Sequence, residues 1–98
     1  MVDLSNVTGF EWDNGNETKN AKHKVTCQQA EEVFSNAPLW ITDDVAHCKL
    51  EERARAIGTT DDGQVLVVAF TVRAGGTRIR VISARTASRK ERTEYESL

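Results

Sequence analysis

Residues 77–95 read TRIRVISARTASRKERTEY, and the alternation at their start is the clearest structural signal in the chain. Ile79 and Val81 are apolar and alternate with Arg78 and Arg80. Successive side chains of a strand point to opposite faces, so this pattern is typical of a strand with one apolar and one cationic face.

A helix start follows this strand. Ser88 precedes Glu91 by three residues, so its hydroxyl can accept the Glu91 backbone N–H while the Glu91 carboxylate accepts the Ser88 N–H. The predicted strand and helix are both rich in cations, and together they can direct several guanidinium groups at one polyanion. Seven cations lie in or just before the segment: Arg73, Arg78, Arg80, Arg85, Arg89, Lys90 and Arg92.

Length and composition favour a soluble protein. The 98 residues predict a single domain spanning residues 1–98. No apolar run approaches the roughly 20 residues of a membrane-spanning helix, and the N-terminus lacks a secretory pattern. We therefore expect a cytoplasmic protein with no membrane partner, whose two cysteines, Cys27 and Cys48, are reduced and buried.

Charge is divided unevenly along the chain. The formal net charge is −2, but six cations and twelve anions lie up to Val72, whereas seven cations and three anions follow. A local basic patch can govern binding even when the total charge is negative. This distribution is compatible with polyanion binding, and equally with a solvated basic surface.

Element order predicts an α+β fold. Thr26 and Gln29 have capping-box spacing at the start of a helix, and Pro38 disfavours its continuation. Asn14-Gly15 and Ala74-Gly75-Gly76 are turn signals, and residues 43–50 show no period and predict a loop. The predicted helices are 16–24, one starting at Thr26 and one at Ser88, and the predicted strands are 9–13, 39–42, 52–59, 65–72 and 77–84. We expect a twisted antiparallel sheet with N-terminal helices on one face and a C-terminal helix, in which the last three strands form a meander around central strand 65–72.

Short segments in a fixed order resemble a known family. The densest are FTVR at 70–73, RVISAR at 80–85 and SRKER at 88–92. The others are FEWD at 10–13, Asn20, Lys22-His23, EEVF at 31–34, ER at 52–53 and IG at 57–58. Taken together they resemble the BrnT family of ribonuclease toxins of type II toxin–antitoxin systems.

This resemblance implies a RelE-like fold, RNA as substrate and a BrnA-like antitoxin as partner. In the family the antitoxin dimerises through a ribbon-helix-helix domain, neutralises the toxin and represses the shared operon. Operator DNA would therefore be contacted only through the antitoxin. The chain departs from the family pattern at two places: Asn16 stands where Lys is frequent, and only Ala21 separates Asn20 from Lys22, where two residues are usual.

Metal-free RNA cleavage by the 2′-hydroxyl requires in-line positioning, charge stabilisation on the phosphoryl oxygens and proton transfer. Arginine suits the charge stabilisation because its planar fork binds two phosphate oxygens. The alternative for each arginine is a surface ion pair. The candidates for this task are Arg53, Arg80, Arg85 and Lys90, and further RNA contacts are expected from Lys22, Arg78, Arg89 and Arg92.

The proton-transfer groups are less well defined. His23 is the natural base, and His47, Glu52 or Glu91 are alternatives, the glutamates only if burial raises their pKa. Glu91 is also interpreted as a helix-cap partner. Neither His23 with Cys27 nor the adjacent His47-Cys48 has the usual zinc-ligand spacing, so we expect no metal and no cofactor.

A second functional class stays open. The chain is alternatively a catalytically inactive binding module that docks an antitoxin or another partner. Its acidic total charge and the changed spacing before Lys22-His23 favour that alternative.

Overall fold

The computed structural model describes residues 2–44 and 52–98, except the side chains of residues 19 and 20. The predicted loop at 43–50, with His47 and Cys48, falls almost entirely outside these residues. The elements are β1 (Gly9–Glu11), α1 (Asn14–Lys22), α2 (Cys27–Ser35), β2 (Trp40–Asp43), β3 (Arg53–Thr59), β4 (Val65–Arg73), β5 (Arg78–Thr86) and α3 (Arg89–Glu96). This order confirms the α+β prediction.

The five strands form one sheet in the order β1-β5-β4-β3-β2. From β2 to β5 each strand is antiparallel to the next one in sequence, so the predicted meander is present and includes β2 as well. The central strand is β4, as expected. Strand β1 pairs with β5 in parallel, which the sequence pattern did not indicate.

Both predicted capping boxes are present. The Thr26 side chain accepts the Gln29 N–H, and the Ser88 side chain accepts the Glu91 N–H, with the reciprocal bond in each case. At the β4–β5 turn, Ala74, Gly75 and Gly76 have φ values of 55°, 66° and 92°. The turn predicted there is confirmed.

The turn predicted at Asn14-Gly15 is wrong, because these residues open α1. Asp13 Oδ1 accepts the backbone N–H groups of Gly15 at 2.9 Å and of Asn16 at 3.2 Å. A carboxylate that satisfies the first free N–H groups of a helix favours helix over turn. Helix α1 therefore begins two residues earlier than predicted and ends at Lys22.

One face of the sheet, called the helix side, carries the main core under α2. Its fully buried side chains include Phe70 and Val33, and Phe34 packs edge-to-face on Phe70 with ring centroids 5.1 Å apart. A Cβ on Gly58 would lie 3.0 Å from Val33 Cγ1 and 3.1 Å from the Val33 carbonyl oxygen. Helix α2 thus crosses β3 at a distance that only glycine permits without displacement. The strand residues in this core are Ala54, Ala56, Leu66, Val68, Phe70, Ile79, Val81 and Ala84.

The opposite face is only partly covered. Tyr95 of α3 packs with Ile57, Val65 and Val67 in a second, smaller apolar cluster over one end of the sheet. The Tyr95 hydroxyl donates a hydrogen bond to the Pro38 carbonyl and ties α3 to the segment before β2. The rest of this face carries six strand arginines, and we call it the arginine side: Arg53, Arg55, Arg73, Arg78, Arg80 and Arg85.

Candidate active site on the arginine side

Strand register brings distant arginines into one row. Glu11 of β1 is the neighbour of Arg80, Arg80 pairs with Thr71, and Thr71 pairs with Arg53. Neighbouring strands lie about 4.8 Å apart, so the backbones of Arg80 and Arg53 are about 10 Å apart. Thr71 lies between them, 1% exposed, and its hydroxyl donates to the Glu52 carbonyl at 2.6 Å.

A β-bulge places Arg85 on the same side as Arg80. These residues are five positions apart, so a regular strand would point their side chains to opposite faces. In β5 the register shifts: Phe70 pairs with Val81 but Ala69 pairs with Ser83, which leaves Ile82 as the extra residue. An extra residue reverses the alternation beyond it. Arg80 and Arg85 therefore both belong to the arginine side.

Carboxylates from β1 and its exit hold Arg80. Its Nη1 lies 2.8 Å from Asp13 Oδ2 and 3.1 Å from Glu11 Oε1. Glu11 Oε1 also lies 3.5 Å from Arg73 Nη1. The hydrogen bond from Arg80 lowers the pKa of Asp13, and the same contact raises the pKa of Arg80. Arg80 is half-buried and its guanidinium is fixed in direction, as a phosphate ligand requires.

Glu91 holds Arg85 with both carboxylate oxygens. The Nη1–Oε1 distance is 2.7 Å and the Nη2–Oε2 distance is 2.9 Å, which is a bidentate pair. Glu91 Oε1 also accepts the Ser88 backbone N–H at 2.8 Å. The bonds from Arg85 lower the pKa of Glu91 to about 2, against the opposing effect of burial. One side chain thus caps α3 and orients Arg85.

The remaining predicted cations lie at different places. Lys90 is exposed in the first turn of α3, next to Glu91, and Arg89 is exposed beside it. Arg78 is exposed at the start of β5, on the arginine side, with its side chain over Gly9. Arg92 borders a small depression with the turn at Asp62 to Gln64, at the end of β4 far from Arg73.

Helix α1 is fastened to the sheet by Asn16, which stands where the resembled family frequently has lysine. The Asn16 side chain is buried; its Nδ2 donates to the carbonyls of Glu11 at 3.0 Å and Val81 at 2.8 Å. Lys22 is the last residue of α1, and His23 is exposed in the turn that follows. His23 therefore lies outside α1, whereas the helix predicted over 16–24 would have included it.

The structure narrows the choice of base. Glu91 was a candidate only if burial raised its pKa, and the pKa lies at about 2 instead, because Arg85 stabilises the ionised form. His47 lies outside the described residues, whereas Glu52 and His23 are both exposed.

Burial raises the pKa of Cys27, which is a free thiol. No group of three His, Cys, Asp or Glu residues within 2–44 and 52–98 is arranged to hold a metal ion.

Sequence reasoning did not include three charged residues that lie on the arginine side or contact its arginines. Arg55 is two positions after Arg53, so alternation alone would have placed both on one side. Glu11 and Asp13 gave no such signal, since their contact with Arg80 depends on the parallel pairing of β1 with β5.

Fold and site together define a small α+β protein of RelE-like architecture, with an arginine-rich open face on its sheet. The family model described as the ribonuclease toxin BrnT of type II toxin–antitoxin systems matches residues 12–91. The chain belongs to this family of ribonuclease toxins. A search of curated proteins finds no match. None of the helices in the described ranges is long and apolar enough to cross a membrane.

Proposed function

We propose that this chain is a cytoplasmic endoribonuclease toxin that cleaves RNA without a metal ion. The observation that carries the proposal is the bulge at Ile82, which places Arg80 and Arg85 on the side of the sheet that also holds Arg53. Three guanidinium groups on one open face match the demand of a phosphoryl group that gains negative charge.

The proposed reaction is transesterification within the RNA strand. The 2′-oxygen attacks the adjacent phosphorus as its proton passes to a base, the bond to the 5′-oxygen breaks, and that oxygen takes a proton. The products are a 2′,3′-cyclic phosphate and a 5′-hydroxyl. Arg80 and Arg85 bind the phosphoryl oxygens, Arg53 and Lys90 add positive potential, and His23 is the candidate base.

The carboxylates that pair with Arg80 and Arg85 would share these guanidinium groups with a bound phosphate. Arg80 lies against Asp13 and Arg85 against Glu91, so a phosphate must share these guanidinium groups with internal carboxylates. Each fork has N–H groups in several directions, so one guanidinium can bind a carboxylate and a phosphate oxygen together. Positioned, partly neutralised arginines without a buried base are consistent with slow cleavage.

We also propose that a BrnA-like ribbon-helix-helix antitoxin neutralises this toxin and links it to operator DNA. A type II toxin has a cognate antitoxin, and the family membership supports that general expectation. The identity of the antitoxin rests on the resemblance alone. Co-expression with a small ribbon-helix-helix protein encoded beside this chain should restore growth and yield a stable complex.

The alternative is a catalytically inactive module that docks an antitoxin or another partner. The internal ion pairs of Arg80 and Arg85 are the observation that favours it, because they are the surface pairs expected of arginines with no ligand. This alternative predicts partner binding without growth arrest or RNA cleavage.

Purified protein separates the two functions. In buffer with a chelator, the wild-type chain should cleave single-stranded RNA, and Arg80→Ala/Arg85→Ala should lower kcat/KM by about 10²-fold or more. The circular dichroism spectrum should stay unchanged in the variant. Cleavage at the wild-type rate in the double variant would remove this site, and a wild-type protein that neither cleaves RNA nor arrests growth would favour the docking module.

A further inference from the structure

Arg55 lies on the arginine side but outside the row of Arg53 and Arg80. It is two residues after Arg53 on β3, and it pairs with Ala69 of β4, which in turn pairs with Ser83 of β5. On its other side it pairs with Thr42 of β2. Ala69 and Ser83 have small side chains, so few side-chain atoms rise above the sheet surface between Arg55 and β5.

Ion pairing distinguishes Arg55 from Arg80 and Arg85, the two arginines of β5 on either side of the bulge. Arg80 and Arg85 each contact a carboxylate at 2.8 Å or less. Arg55 is exposed and forms no ion pair with any residue in 2–44 or 52–98. A phosphate can therefore bind Arg55 without competing with a carboxylate of that part of the chain.

Distance separates Arg55 from the proposed reacting phosphate. Arg85 is two strands and one two-residue step away, which corresponds to about 12 Å between the two backbones. Arg80 lies on the other side of Ser83 at a similar diagonal separation. The Arg80 guanidinium lies against Glu11 and Asp13, on the side of β5 that faces β1 and away from β3. A phosphate bound there is displaced from Arg55, so Arg55 faces a different phosphate of the same RNA strand.

We propose that Arg55 binds a phosphate flanking the scissile one, as a contact that strengthens RNA binding but takes no part in bond cleavage. This inference rests on the proposed function for its substrate. The RNA strand then crosses the sheet from β5 over Ala69 of β4 towards β3. A contact made equally in the ground state and the transition state changes KM and leaves kcat unaltered.

The test compares Arg55→Ala and Arg55→Lys with Lys24→Asn. Lys24 lies on the turn before α2, is exposed and has φ of 60°, which asparagine accepts, so this control removes one positive charge elsewhere. Arg55→Ala should raise KM for a short single-stranded RNA about fivefold to tenfold with kcat unchanged. Arg55→Lys should retain most of the affinity, and the control should match wild type.

Salt dependence supplies a second readout. The slope of log K against log salt falls by about 0.7 for each phosphate of a single strand that the protein no longer neutralises. Binding is measured by fluorescence anisotropy on an RNA whose 2′-hydroxyls are methylated, because it cannot be cleaved. Arg55→Ala should reduce the slope by about this amount, and Lys24→Asn should leave it unchanged.

The outcomes are distinguishable. An Arg55→Ala protein with wild-type KM and salt slope would overturn the role of Arg55 while the cleavage activity stands. A fall in kcat at constant KM would also overturn it, because Arg55 would then act on the reacting phosphate. Wild-type protein that binds methylated RNA through Arg55 but cleaves no RNA would retain the inference and reject the proposed function.

Discussion

The two faces of the sheet use the same strands for different purposes. On the helix side, Phe70 and Val81 are completely buried in the main core. On the arginine side, their neighbours in sequence, Thr71 and Arg80, lie beside Arg53 on a face that α3 covers only at one end. In the proposed function, alternate positions of one strand therefore serve stability and ligand binding separately. This separation makes the two properties accessible to different substitutions.

The bulge at Ile82 affects both faces, because it determines which side chains of β5 point to each of them. Deletion of Ile82 would remove the extra residue and give β5 a regular alternation in which Ala84 stays in the core and Arg85 stays on the arginine side. The deletion should therefore destabilise the protein by about 0.5–3 kcal/mol, less than the loss of about 5 kcal/mol or more that burial of an unpaired guanidinium would cause. Urea denaturation followed by circular dichroism measures this loss.

The control for the deletion is Ile82→Val, which keeps the extra residue. It should cost about 1 kcal/mol or less, because Ile82 is only half-buried. A loss of about 5 kcal/mol or more in the deletion variant would contradict the assignment of Ile82 as the extra residue.

Neighbouring positions on β4 provide a sharper comparison of the two faces. Phe70→Ala should destabilise the protein by about 3–4 kcal/mol, because it empties the space against which Phe34 packs. Ala69→Ser, on the arginine side and half-buried, should change the free energy of unfolding by about 0.5 kcal/mol or less. Equal losses in the two variants, measured by urea denaturation, would contradict the assignment of faces.

Loss of the Glu91 carboxylate should have a smaller effect on stability, and this effect should depend on pH. Its folded pKa of about 2 is below the ordinary value of 4.5, so the ionised form stabilises the folded state above about pH 4.5. That contribution is lost as the pH falls from about 4.5 towards 2. The Arg85 side chain is 43% exposed, so solvent screening reduces the effect to about 1 kcal/mol.

Glu91→Gln should therefore lower stability by about 1 kcal/mol at pH 7 and by much less near pH 2. Glu94→Gln is the matched control, since Glu94 is exposed on the same helix. Thermal melts of both variants across this pH range test the prediction. A loss for Glu91→Gln that is the same at pH 7 and pH 2 would show that the carboxylate charge is not its cause.

Local patterns predicted much of the fold. Alternation identified β5, two capping boxes located α2 and α3, and the glycines at 75 and 76 marked the last turn. Each of these signals depends on residues that are close in sequence. Asn14-Gly15 failed as a turn because the Asp13 carboxylate supplies a helix cap, a competing local interaction with the same polar residue types.

The arrangement of the site depended on long-range pairing and was harder to predict. Val81, Ile82 and Ser83 suit a regular strand as well as a bulged one, so only pairing with β4 reveals the extra residue. The contact of Glu11 with Arg80 joins positions 69 residues apart. Arg55, in contrast, is two residues after Arg53 in the strand predicted over 52–59, so alternation alone could have placed it beside Arg53.

The most direct test is a double-mutant cycle on RNA cleavage by purified protein, using Arg80→Ala, Arg85→Ala and the double variant. Residues that act on one phosphate are not additive, so the double variant should lose less than the sum of the single losses, with a coupling of about 1 kcal/mol or more. Losses that add within about 0.5 kcal/mol would indicate two independent sites and contradict the shared phosphate pocket created by the bulge.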